Sequence, residues 1–162
     1  MAQARVDRFI SDIYRSHIQA KLHFDSKANW ILGISAVMMS FFFPQVAEGI
    51  TLENLGYAVI FLSALASFLI SLLIFEPPKF MKPFPHSKKT VMYYKSFKDM
   101  TPQKYYETLR NVKTEDDITK QYAYDIANLA IRCVEVKNKL IIWPTYLLFF
   151  GTLIGASLVI IL

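Results

Sequence analysis

Charged and apolar positions are segregated along this chain rather than mixed. Three runs, Ala28–Ala47, Asn54–Phe75 and Leu140–Leu162, hold 20, 22 and 23 residues without a single Asp, Glu, Lys or Arg. An apolar helix of roughly 20 residues covers a ~30 Å hydrocarbon core, so each run is long enough to span a bilayer. The segments outside the runs carry helical periodicity. Val6, Ile10, Ile13, His17, Ala20 and Phe24 recur every three or four residues, as do Ile118, Tyr122, Ile126, Leu129, Cys133, Val136 and Leu140. Both are heptad-type stripes, and each enters a span without a break. The pattern predicts an all-α integral membrane protein: three transmembrane helices, two of them long and extending into a small cytoplasmic helical head.

Local signals set the boundaries. The expected organisation is an amphipathic helix over 1–27, spans at 28–47, 54–75 and 140–162, a short external loop at 48–53, and the head at 76–139. Pro44 and the acidic loop should end the first long helix. Glu76-Pro77-Pro78 cannot continue a helix, and 79–89 reads as a loop, whereas Val91–Met100 is ambiguous by pattern. Thr101-Pro102 offers a capping residue followed by proline at the first helical position, so a short helix is expected over Gln103–Val112. Thr114-Glu-Asp-Asp should start another, with three acids complementing the positive helix end.

Composition sharpens the class. The hydrophobic fraction is 54%, above the ~45–50% usual for soluble chains. What lies outside the runs suffices for a small helical head, not for an ordinary enzyme domain, although a compact ligand site would fit. The first run follows a charged segment and lacks a small-residue cleavage site, so it reads as a retained span. All 18 basic residues lie outside the runs: five in 1–27, thirteen in 76–139 and none in 48–53. Lys and Arg near short loops stay cytoplasmic, which puts the N-terminus and 76–139 on the cytoplasmic side, with inputs arriving from there. The net charge of +5 does not make a nucleic-acid binder, since 76–139 also holds eight acids; headgroup lipids are the expected partner of these bases.

Candidate chemistry is sparse. Cys133 is the sole cysteine and reads as a small core residue rather than a reactive thiol. His17 sits on an apolar stripe and His86 in a loop without an acidic neighbour in sequence. No nucleophile elbow, glycine-rich phosphate loop or metal-ligand pair appears, so neither enzyme activity nor a cofactor is expected. Gly151-xxx-Gly155 is a helix-packing motif; Ser63, Ser67 and Ser71 in the second run, and Gly33, Ala36 and Ser40 in the first, are small-residue stripes of the same kind. The runs lack ionisable groups, against a proton-coupled transporter or voltage sensor, while an oligomeric pore lined by Ser and Thr stays open. Asp25 and Lys27 stand where the first span enters the membrane; a snorkelling Lys27 and an Asp25 paired with a nearby base would account for both. Tyr93, Tyr94, Lys95, Phe97, Lys98, Lys104, Tyr105 and Tyr106 form an aromatic and basic cluster, suited either to a base and its phosphate or to an interfacial aromatic belt.

Four segments together resemble a known family: FDSKANWILGISAVMMS at 24–40, the LLIFEPP exit of the second run, YYKSFKDMTPQKYYETL at 93–109, and DIANLAIRCVEVKNKLI at 125–141. Nearly the whole chain is similar to the transmembrane effectors of Pycsar antiphage systems. The resemblance implies a homo-oligomeric membrane effector whose partner, a nucleotide cyclase, makes a cyclic pyrimidine mononucleotide (cyclic CMP or cyclic UMP) after infection. The effector then impairs the inner membrane, and infection aborts. On this reading Lys95 and Arg132 would meet the phosphate, Tyr94 and Tyr105 would stack on the base, and Asp25 and Lys27 would couple the head to the first span. The alternative is a ligand-independent membrane scaffold or assembly partner whose stripes bind other helices.

Overall fold

The computed structural model describes residues 2–81 and 100–162, and among them every regular element is helical. Helix α1 (Ala2–Ala47) is one continuous helix of 46 residues, roughly 69 Å at 1.5 Å per residue, more than twice a hydrocarbon core. Helix α2 (Leu55–Phe75) has 21 residues and fits one crossing. Helix α3 (Pro102–Arg110) is short. Helix α4 (Glu115–Leu129), a π-turn (Ala130–Val134) and helix α5 (Glu135–Ile161) join end to end. Three helical stretches, α1, α2 and Glu115–Ile161, are long and apolar enough to cross a membrane. The protein is therefore an all-α membrane protein with three spans.

The chain packs as two units, Met1–Lys21 with Phe80–Glu135, and Leu22–Lys79 with Val136–Leu162. We call them the head unit and the span unit.

The helix boundaries follow from identifiable caps. Pro44 lies inside α1, and the helix ends only at the loop beyond it. There Gly49 takes φ +109°, a left-handed conformation that L side chains avoid, and its N–H returns to Val46 O at 3.1 Å. Asn54 then clasps the loop: its amide donates to Gln45 O at 3.0 Å and to Gly49 O, and its Oδ1 accepts from Thr51 N at 2.7 Å. The Thr101 hydroxyl accepts from Lys104 N at 3.3 Å, with Pro102 opening α3. Thr114 and Asp117 form a reciprocal capping box at the start of α4.

The span unit is held by close backbone approach. Gly56 on α2 faces Gly155 on α5: a Cβ built on Gly155 would lie 2.7 Å from Gly56 O, and one on Gly56 would lie 2.6 Å from Gly155 O. Further along the same faces, a Cβ on Gly151 would meet Ser63 Cβ at 2.2 Å. Small residues permit this approach where lipid tails are as apolar as the side chains. Ser63 turns its hydroxyl back to Val59 O at 2.7 Å, whereas fully buried Ser67 donates across to Pro144 O at 2.9 Å. Phe42 stacks on Tyr57 at 5.9 Å and Phe43 tilts against Phe61 at 6.0 Å, joining α1 to α2. Ala28, Ile74 and Ile141, one from each span, make a buried cluster flanked by Phe24, Ile31 and Leu140. Gly33, by contrast, has nothing within 4 Å of a built Cβ, and Ser40 is exposed and bonds to its own helix. Gly33 and Ser40 thus do not mark a close approach within the subunit, whereas Ala28 and Ser35 of the same helix are fully buried.

The π-turn changes the reading of the C-terminal stripe. The Glu135 N–H bonds to Ala130 O, five residues back, so this turn takes one residue more than an α-turn. Every later residue is one position out of phase with a regular three-four stripe. The face expected to carry Val136 and Leu140 also admits Lys137 and Ile141, both buried. Ile118, at the other end of the stripe, is exposed.

These contacts predict opposite behaviour for two glycines. Gly155→Val forces a side chain into the Gly56 backbone and should cost about 1–3 kcal/mol or more, lowering the thermal transition in detergent. Gly33→Ala meets open space and should leave that transition unchanged or slightly raised. Thermal melts of both variants check the pair.

Candidate functional site

In the head unit, the expected site residues fall on different elements. Tyr94 and Lys95 lie outside the described residues. Tyr105 is half-buried on α3. Arg132 occupies the middle of the π-turn, and its Nε and Nη1 are shielded from solvent without a hydrogen-bond partner among the described residues. A guanidinium carries five N–H donors, and each buried donor left unmade costs about 1–3 kcal/mol, more for a charged group. An anion would relieve that cost.

About two turns before Arg132, Asp125 is buried at 7% exposure. Tyr122, on the same helix, meets Tyr14 of α1 edge-to-face, ring centroids 6.2 Å apart at 80°. The Tyr14 phenol is pushed above its ordinary value, first by burial and then by the negative charge of Asp125, with Tyr122 adding a smaller part. It stays a neutral hydroxyl at physiological pH, able both to donate and to accept. The head unit thus combines a cation with spare donors and a packed pair of tyrosines, the groups that recognise a phosphate and an aromatic ring.

The start of α4 is charged and exposed. Hydrogen bonds from Thr114, side chain first and backbone second, hold the Asp117 carboxyl below its usual range. A hydrogen bond from Lys120 to Asp116, reinforced by their charges, raises the Lys120 ammonium. Among the described residues no group of three or more His, Cys, Asp or Glu is placed to hold a metal ion.

In the span unit, Asp25 does not stand alone where α1 enters the membrane. It forms an ion pair with Lys137 of α5, whose side chain is only 1% exposed; Asp25 retains 22%. Lys27 is exposed. Gly151 and Gly155 are buried against α2. Lys137 was missed because Val136-Lys137-Asn138-Lys139 reads as a basic patch for headgroups, and nothing local announces the phase change that buries one of its two lysines.

Residues 12–162 match the Pycsar effector protein domain, PycTM. Searches of curated proteins and of solved structures found no match.

The capping box generates a pH prediction. A depressed Asp117 value in the folded state means its contribution is fully present above the unfolded aspartate value and is lost as pH falls through the folded one. Acidification into the carboxylate range should therefore fray the first turn of α4, and Asp117→Ala should remove the pH dependence. Hydrogen exchange of the 115–118 amides, followed from neutral to acidic pH in both proteins, measures it.

Proposed function

The chain belongs to the Pycsar effector family, antiphage membrane effectors rather than a catalytic family, and from that premise we propose that a cyclic pyrimidine mononucleotide activates it directly to impair the inner membrane. The head unit receives the nucleotide. Arg132 and Lys95 meet the phosphate, Tyr94 and Tyr105 stack on the base, and a homo-oligomer of the chain carries the response. The distribution of Lys and Arg supports a cytoplasmic N-terminus and head, where a partner cyclase would release the nucleotide. The loss of membrane integrity aborts the infection.

The observation that carries this reading is the half-buried guanidinium of Arg132, whose shielded Nε and Nη1 have no partner among the described residues. A cyclic phosphodiester offers two anionic oxygens, the geometry a planar guanidinium matches best. The π-turn supports it as well, because such turns recur at functional sites. Helix α1 and the Glu115–Ile161 helix each run through both units, which supplies continuous backbone from a ligand in the head to the spans. The nucleotide must bind the leaky state more tightly than the closed one; a tenfold preference biases the equilibrium by about 1.4 kcal/mol.

Purified protein in lipid nanodiscs should bind cyclic CMP or cyclic UMP and not cyclic AMP. Arg132→Gln combined with Lys95→Gln should weaken binding on the order of 100-fold, since each charged hydrogen bond contributes about 1.5–3 kcal/mol. Calorimetric titration reads the affinity, and size-exclusion chromatography checks that the variant is assembled. Binding unchanged in the double variant would refute the site. Absence of binding by the parent chain would favour a ligand-independent scaffold.

A further inference from the structure

The Asp25–Lys137 ion pair lies outside the residues proposed to touch the nucleotide, yet it occupies the place where the spans begin. On α1, Asp25 follows Phe24 and lies three residues before Ala28; on α5, Lys137 lies three and four residues before Leu140 and Ile141. Positions three or four apart share a helix face. The pair therefore sits one turn beyond the Ala28, Ile74 and Ile141 cluster on the faces that build it, and it ties α1 to α5 at the polar end of the span core.

The two partners are not equally placed. Lys137 is sealed, at 1% exposure, whereas Asp25 keeps 22%. If Asp25 turns to water, Lys137 is left as an uncompensated buried charge, the costly outcome for any broken buried pair. Its ammonium must then reach water or a phosphate headgroup by way of its long stem, which the closed packing of α1 on α5 prevents. The contact is thus close to all-or-none. An apolar contact of similar volume would hold the helices at least as well but would give no charge-driven reason to separate them. The rest of the core here is small: of the three central side chains one is an alanine, Ala28.

We propose that the Asp25–Lys137 ion pair is the latch of the span unit, holding α1 against α5 in the closed state and opening when the membrane is made leaky. The latch regulates the leak described under Proposed function and rests on that reading for its consequence, while the pair itself is independent of any ligand.

The experiment is dye release from liposomes carrying the parent chain, Asp25→Asn, or Asp25→Leu combined with Lys137→Met, each with and without added cyclic CMP and cyclic UMP. Asp25→Asn strands the lysine, and its leak without nucleotide should exceed the parent's at least tenfold. The apolar double variant keeps the contact without the charges. It should be as tight as the parent without nucleotide and should need at least tenfold more nucleotide to leak. Asp25→Asn as tight as the parent would overturn the proposal, as would a double variant that leaks like Asp25→Asn or that retains the parent's nucleotide response. If Asp25→Asn fails to insert, the double variant alone decides. If the parent leaks with neither nucleotide, the activation reading fails while the comparison of basal leaks still tests the latch.

Discussion

Lys137 carries its ammonium into an apolar interior, and Asp25 is the group that makes its burial tolerable. Burying a charge is costly unless a counter-charge lies within reach, so the packing of α1 against α5 at the start of the spans depends on two side chains 112 residues apart. Their placement is inherited from the backbone. The π-turn at Ala130–Val134 adds one residue to the helix, and α5 beyond it buries Lys137, Ile141 and Pro144.

Beyond that level the spans rely on contacts of a different kind. Gly56 and Gly155 let α2 and α5 approach until backbone meets backbone, and Gly151 makes room for Ser63. Ser67 spends its hydroxyl on Pro144 O, and Ser63, Thr145 and Thr152 return theirs to their own helices four residues back. Local pairing of this sort satisfies hydroxyls where water is absent. Within the span unit the latch level is electrostatic and the remainder is close packing.

Much of this was legible in the sequence. The three spans are visible because a bilayer excludes charge over ~20 residues, and the starts of α3 and α4 because Thr101-Pro102 and Thr114-xx-Asp117 are local capping chemistry. Gly151-xxx-Gly155 was legible as a motif, but the same reasoning applied to the first run picks out Gly33 and Ser40, which make no close approach within the subunit, because small-residue spacing does not name the partner. The π-turn was hidden, since one extra residue leaves hydrophobic periodicity almost intact. The partner of Asp25 was hidden with it: the expected nearby base proves to be a lysine from the far end of the chain. Arg132 was singled out as a cation for phosphate, while the shielding of its Nε and Nη1 is a property of packing that no local pattern announces.

The chain is thus a family effector whose head holds a cation with unmade hydrogen bonds and whose spans are joined by a buried charge pair. The central claim is that one small molecule is sufficient to make this protein breach a bilayer. It is tested most directly by planar-bilayer conductance of the purified chain, with cyclic CMP, cyclic UMP and cyclic AMP perfused in turn on the side facing its basic segments. The account predicts current with a cyclic pyrimidine nucleotide and silence with cyclic AMP. Correctly inserted protein that stays silent with all three would contradict it.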